Sequence, residues 1–410
     1  MAEESRGREN EKKAEERKTY TLPVGPQHPL YVEAENLMVH VDGETITDVD
    51  VNIGYMHRGI EEMMQRRNYL QNIYLAERIC GICSFIHSCT YCQAVENLTG
   101  LEIPDRAAYI RTIMLELERL HSHFLFLGVM GYEMGLDTIF QYTWRDREHI
   151  MEMLEEISGN RVNYAMTTIG GVRRDIPETI RKNMLDKLSL IEKRVGYYNN
   201  VFMEDRVIRK RTQGIGVLSK ADANKFSIQG PVLRASGVNY DVRWHAPYAA
   251  YPKIRDWKVI TEKEGDVHAR VVQKILEMPE AAKILRTALN KLAKLPKPPK
   301  GELKVKASLS IPEAEAISIT EAPRGELLYY AKSNGTDQPE RMRIRTPSFS
   351  NMLSLRPILK GQQLADLPVI VGSIDPCFSC TDRVTLVEER TGKTRTVDAT
   401  YLKRLGESRG

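Results

Sequence analysis

Four of the six cysteines in this 410-residue chain form two CxxC pairs almost three hundred residues apart. The first pair stands in Glu77-Arg78-Ile79-Cys80-Gly81-Ile82-Cys83, with His87 four residues further on. The second stands in Asp375-Pro376-Cys377-Phe378-Ser379-Cys380, followed by Thr381-Asp382-Arg383. Thiolates are soft ligands that suit nickel, iron and zinc. Two such pairs can close one four-thiolate site only if the fold brings the two ends of the chain together. Gly81 lets the backbone turn tightly between its cysteines, and Pro376 fixes the approach to the second pair. Taken singly, each CxxC reads equally well as half of a zinc knuckle or as small buried residues. Cys89 and Cys92 add a complication, because with Cys80 and Cys83 they place four cysteines within thirteen residues. That grouping could ligate an iron–sulfur cluster or a local zinc. On a helix leaving the first motif, however, positions 89 and 92 lie one turn apart and read as small buried residues. A local site would leave the second pair unexplained, which favours the split arrangement.

The two frames, RxCGxCxxxH and DPCxxCxxR, resemble those of the nickel–iron hydrogenase large subunit. The resemblance is strongest to the membrane-bound, energy-converting class related to respiratory complex I. It implies Cys80 and Cys377 as terminal nickel ligands, with Cys83 and Cys380 bridging nickel to an iron that carries carbon monoxide and cyanide. Glu321-Ala322-Pro323-Arg324-Gly325 resembles the family segment that sets an arginine beside the cyanides; a guanidinium suits that place, being always charged and rich in directed donors. Asp375 can hold Arg324 or the backbone of the second motif, while Arg78, His87 and Pro376 support the ligands. Splitting H₂ heterolytically also needs a base beside the thiolates. Gly25-Pro26-Gln27-His28-Pro29 with Glu33 resembles the block that supplies it, so Glu33 is the expected proton acceptor. Glu35, two residues on, faces the same way if the segment is a strand. Complex I relatives carry a quinone-binding histidine at the position of Val32, and the apolar residue here argues against a quinone site. Segments around Thr168-Ile169-Gly170-Gly171, Arg211-Thr212-Gln213-Gly214 and Arg343-Ile344-Arg345-Thr346 extend the resemblance from about residue 20 to 383.

The activity so implied is interconversion of H₂ with protons and electrons. Ferredoxin would exchange electrons through a small partner subunit holding a proximal [4Fe–4S] cluster and through other hydrophilic iron–sulfur subunits. Complex I-like and antiporter-like membrane subunits would couple the reaction to ion pumping. The chain would then sit peripherally on the cytoplasmic side of the cell membrane. Two other readings stand beside this one. One is a hydrogenase-derived oxidoreductase without nickel that reduces sulfur compounds or a carrier. The other is a structural subunit that only scaffolds a cluster-bearing partner.

Composition narrows the surroundings of the site. The net charge of +4 carries no nucleic-acid footprint. No run of about 18 apolar residues is present to span a membrane. Residues 1–18 hold twelve charges and no apolar stretch, so they read as a solvated tail and not as a leader peptide. Six cysteines in so long a chain argue against a disulfide framework.

The expected fold class is α+β: a long-helix bundle core with an N-terminal β-sheet region and a smaller C-terminal α/β portion. Residues 19–293 form the β-rich start and helical core. Within them, 37–41 and 46–51 alternate around Asp42-Gly43 as a hairpin. Asp105 is placed to cap a helix on which Ile110, Ile113, Leu117, Leu120 and Phe124 recur at helical spacing. Helices are also expected at 145–157 and 177–195. The Lys/Pro-rich segment 294–301 reads as a linker. Residues 302–383 carry the second motif and strands at 303–311 and 316–319, with 327–330 and 342–345 expected to pair as a further hairpin. The last 27 residues, 384–410, form an extension. In many relatives such an extension is cleaved after nickel insertion, here just past Arg383. Its 384–387 and 394–401 segments suggest a hairpin turning at 391–393.

Overall fold

A computed structural model of the chain describes residues 19–31, 33–296, 303–308, 310–381, 386–387, 394–395 and 404. The 1–18 tail, Val32, most of the 294–301 linker and most of the 384–410 extension therefore lie outside the described residues. Strands β1 (Thr19–Val24), β2 (Asn36–Asp42) and β3 (Thr45–Asn52) form an antiparallel sheet in that order. The Asp42-Gly43 turn works as expected, with Gly43 at φ +61° and Leu37 opposite Val51.

Helices follow: α1 (Tyr69–Glu77), α2 (Ser84–Thr99), α3 (Asp105–Glu133), α4 (Asp137–Ser158), α5 (Glu178–Glu204) and α6 (Val267–Lys294). Asn68 and Gln71 close a capping box at the start of α1, and Gly100 at φ +64° ends α2. Helix α3 packs against α4 and α6, and α5 packs against both of those, making the long-helix core. Ile110, Ile113, Leu117, Leu120 and Phe124 are all fully buried on α3. Asp105 is the first helical residue and not the cap, which falls on Pro104. Its carboxylate still favours the positive end of the helix and pairs with Lys253.

The C-terminal sheet is an antiparallel meander of β4 (Ala314–Ala322), β5 (Gly325–Ser333) and β6 (Pro339–Arg345). It includes the expected pairing, with Tyr330 opposite Arg343. Helix α2 packs across β4 and β5, which ties the first cysteine motif to this sheet. Helix α7 (Leu367–Ser373) packs on α3 and α6 and leads into the second motif. The strand expected at 303–311 does not form among the described residues. Its neighbour there is the short Gly171–Val172 strand, so only a local ladder is possible, with Lys304 bridged to Gly171. In the extension, Leu386–Val387 pairs antiparallel with Thr394–Arg395.

Candidate metal centre

The first pair precedes α2 directly. Cys83 occupies its cap position, and the N–H groups of Ile82 and Cys83 both donate to Cys80 Sγ at 3.3 Å. The amides of the first helical turn, which have no acceptor within the helix, are taken by Glu118 of α3, whose carboxylate accepts from Phe85 N at 2.7 Å and Ile86 N at 3.0 Å. Burial raises the Glu118 carboxyl well above its ordinary range, with the two amides opposing. His121 Nε2 donates to Ile82 O at 3.0 Å, and its Nδ1 accepts from Arg147 Nε at 3.1 Å. The CxxC loop is thus fixed from α3 on two sides.

The second pair lies on a turn. Asp375 has φ +53°, a left-handed conformation that Asp tolerates better than most residues. Phe378–Cys380 then winds into a single 3₁₀ turn. Ser348 Oγ accepts from Cys377 N at 3.1 Å, and Thr346 Oγ1 donates to Cys380 O at 2.6 Å.

Here the ends of the chain meet. Cys80 Sγ lies 3.3 Å from Cys377 Sγ, which is 3.0 Å from Cys380 Sγ. These three sulfurs all lie within 4.8 Å of one another. Cys83 stands outside that trio and meets the guanidinium of Arg324, whose Nη1 is 3.4 Å from its sulfur. All four cysteines are free and buried. Cys89 and Cys92 do not join them. Both are buried inside α2 and belong to no cluster of three ligand atoms among the described residues.

Arg324 donates to Asp375 O at 2.8 Å and to Asp375 Oδ1 at 2.6 Å. Burial opposes its charge, and Asp375 with Cys83, Cys377 and Cys80 outweighs that effect. The other Asp375 oxygen pairs with Lys274, a fully buried lysine of α6 whose pKa burial lowers against the pull of Asp375. One carboxylate therefore bridges two buried cations beside the sulfurs.

The remaining expected residues divide. Glu33 Oε2 accepts from Ser379 N at 2.7 Å, between the two cysteines of the second pair. Glu35 is buried beside Thr381, 3.4 Å from its hydroxyl, and burial pushes its carboxyl up to about 7. His87 Nδ1 meets Tyr329 Oη at 2.8 Å, and its Nε2 lies 3.8 Å from Cys380 Sγ. Burial, aided by Arg58, pushes the His87 pKa down to about 3, so the ring is neutral. Pro376 is half-buried between Asp375 and Cys377. Arg78 goes the other way, with its side chain 52% exposed against Glu77 and Tyr74. Only its carbonyl enters the site, accepting from Arg58 Nη1 at 2.8 Å.

Sequence reasoning missed Arg58, Lys274 and Glu118. Arg58 Nη2 donates both to Ile79 O at 2.7 Å and to Ser379 O at 3.2 Å, clipping the two motifs together. Nothing in its spacing marks it. Glu118 carried no distinguishing signal either, because Arg111, Glu116 and Arg119 of the same helix are charged and equally buried.

The donor set fits a soft metal. The hydrogen bond from Cys377, then that from Cys80, then burial push the Cys380 thiol well above the ordinary range. As thiols, Cys80, Cys377 and Cys380 are buried and crowd one another. A metal ion replacing their protons would satisfy all of them at once, beside a permanent positive charge on Arg324.

Comparison with known proteins identifies the family. Residues 133–383 match the family of the respiratory-chain NADH dehydrogenase 49 Kd subunit, and residues 58–130 match nickel-dependent hydrogenase. Over 377 residues the chain is 43% identical to the membrane-bound hydrogenase subunit alpha of Pyrococcus furiosus, covering 90% of this chain and 88% of that one. It is 40% identical over 366 residues to the carbon monoxide-induced hydrogenase of Rhodospirillum rubrum, covering 89% and 99%. A chain of the membrane-bound sulfane sulfur reductase, an archaeal respiratory membrane complex, superimposes with a TM-score of 0.84 at 33% identity, covering 90% of this chain and 100% of that one. The chain belongs to the oxidoreductase family that joins the respiratory-complex 49 Kd subunit to the large subunits of membrane-bound nickel-dependent hydrogenases.

Proposed function

We propose that the chain is the catalytic large subunit of a membrane-bound [NiFe] hydrogenase complex that interconverts H₂ with protons and electrons. The observation that carries this reading is the meeting of Cys80, Cys377 and Cys380 sulfurs within 4.8 Å, with Cys83 held at Arg324. Cys80, Cys83, Cys377 and Cys380 would together hold the nickel–iron centre. A nickel–iron centre with carbon monoxide and cyanide ligands supplies, when bound, the polarisation that splits H₂. The protein's part is to orient the sulfurs, to supply directed donors and to remove the proton. Arg324, anchored by Asp375, offers its guanidinium on the Cys83 side of the centre. Glu33, bonded to the Ser379 amide between Cys377 and Cys380, takes the proton from a ligand sulfur. His87, neutral, stays near Cys380 as a hydrogen-bonding partner.

No described helix is long and apolar enough to cross a membrane. Relatives of the chain belong to membrane complexes, which supports peripheral attachment to a membrane, proposed here to be on the cytoplasmic side. Electrons would pass to a small subunit with a proximal [4Fe–4S] cluster, then through further iron–sulfur subunits to ferredoxin. Complex I-like and antiporter-like membrane subunits would couple the reaction to ion pumping. Elemental mass spectrometry of the intact complex, with the subunit's mass from the same sample, tests the reading. The expected result is about one nickel per large subunit, the stoichiometry of a single four-cysteine site, and a chain ending at Arg383.

The sulfane sulfur reductase likeness favours one second reading, a relative that reduces sulfur compounds without nickel. A full-length chain with its 386–395 pairing retained, and no nickel in a fully metallated complex, would establish that reading instead.

A further inference from the structure

Arg324 distributes its donors unevenly. Nε goes to the Asp375 carbonyl at 2.8 Å and Nη2 to Asp375 Oδ1 at 2.6 Å, while Nη1 reaches Ser122 Oγ at 3.3 Å and Cys83 Sγ at 3.4 Å. A guanidinium beside a free carboxylate commonly pairs with both of its oxygens through two parallel bonds. Here it takes only one. Lys274 holds the other, its Nζ donating to Asp375 Oδ2. This lysine is 1% exposed, and its Nζ lies 4.0 Å from the centre of the Phe126 ring, so α3 also fixes its approach. Glu277, one turn further along α6, does not compete for it. That carboxylate is engaged by Arg234 at 2.8 Å, Gln273 at 2.7 Å and His123 at 3.3 Å. Asp375 is the one hydrogen-bond acceptor of Lys274 among the described residues.

We infer that Lys274 is a positioning residue for the centre: by occupying Asp375 Oδ2 it prevents a two-oxygen pairing with Arg324 and leaves Nη1 directed at the sulfur of Cys83. Its bearing on the reaction rests on the proposed function, in which Cys83 is a metal ligand. The sharing of one carboxylate between two cations does not depend on that reading. With a metal in place, Nη1 donates to a thiolate, a stronger acceptor than a thiol, and draws electron density from it. Without Lys274 a buried carboxylate oxygen loses its partner, and Nη1 is a donor on the neighbouring guanidinium that can turn to it.

Lys274→Met removes the donor and keeps an unbranched apolar side chain over Phe126. One cation and one anion remain, so Asp375 keeps a countercharge and the turn stays folded. Lys274→Arg restores a donor to Oδ2, and its guanidinium suits the face of the Phe126 ring. Lys283→Met is the control, at a half-exposed position of the same helix paired with Glu280. Each variant is made in the full complex and its structure determined by electron cryomicroscopy. Lys274→Met is expected to bring Arg324 onto both Asp375 oxygens and to part Nη1 from Cys83, whereas Lys274→Arg and Lys283→Met keep the parent contact. Cobalt(II) loaded into the site reports the same change, because a thiolate that loses a donor absorbs at lower energy in its charge transfer to cobalt. That band should move in Lys274→Met alone. A Cys83 contact and cobalt band unchanged in Lys274→Met, or altered equally in Lys274→Arg, would overturn the inference. Absence of nickel from the parent complex overturns the hydrogenase reading instead, and this comparison still decides, since neither readout uses nickel.

Discussion

The two cysteine pairs reach the same point by different means. Cys80 and Cys83 lie in the short loop leading into α2, a 16-residue helix, and are braced by Glu118 and His121 from one neighbouring helix. Cys377 and Cys380 bracket a single 3₁₀ turn, held by residues scattered from Glu33 to Ser348. Asp375, two residues before Cys377, also carries the countercharge for Arg324 and Lys274. A helix shares its load over many backbone bonds, whereas this turn depends on one buried carboxylate. The second pair should therefore be the fragile half of the site.

The largest effect is expected at Asp375. Asp375→Asn keeps a residue that tolerates left-handed backbone and still offers an oxygen, but it leaves two buried cations without a countercharge. Breaking a buried ion pair from one side costs about 3–5 kcal/mol. Urea unfolding should show a loss of that size, and elemental analysis should show the metal gone. Glu118→Gln is the matching test on the first pair. It turns one acceptor into a donor facing an amide, at a cost of about 1–3 kcal/mol, while metal content should stay near the parent's because α2 still places both cysteines. Equal losses of stability and metal in the two variants would break the comparison.

Cys89 and Cys92 sharpen it from a third side, as a CxxC pair within the same segment that forms no site. Inside α2 their sulfurs are held by the helix, buried beside the Arg111–Glu96 ion pair. Cys80 and Cys83 differ because their loop precedes the helix, so their sulfurs are free to point at the second pair. Cys92→Ala removes one small buried group, at about 1 kcal/mol. It should leave the metal content unchanged, and a loss of metal would show that the local four-cysteine reading had merit.

What could be read from the sequence follows the same division. The motif frames identify which cysteines matter, because residue type and spacing are local properties. Apolar spacing locates α3 and the β5–β6 pairing for the same reason. Arg58 was invisible because its value lies in reaching Ser379, 321 positions away. Lys274 sits in a 28-residue helix, where nothing about a lysine announces a carboxylate on another element. Arg78 misled in the opposite sense. It belongs to the motif by position, but the chain turns there at the end of α1, sending its side chain outward and only its carbonyl inward. Periodicity reports which face is buried; it does not report which distant charge will be met there.

The smallest effect concerns Glu35, the second carboxylate that the N-terminal segment brings to the turn. Burial pushes its carboxyl up to about 7 in the folded chain from an ordinary value of 4.5. Between those values the folded state holds a proton that the unfolded state has lost. The stability this group contributes is therefore complete below about pH 4.5 and declines until about pH 7. Glu35→Gln keeps the shape and removes the titration. The difference in thermal midpoint between parent and variant should change steadily across this window, with the parent falling relative to Glu35→Gln as pH rises, and should be flat above it. A difference that stays constant from pH 4.5 to 7 would mean that water reaches this carboxyl in the folded chain. The second pair would then rest on a wetter support than Thr381 and its buried neighbours suggest, and its fragility would have to come from the Asp375 ion triad alone.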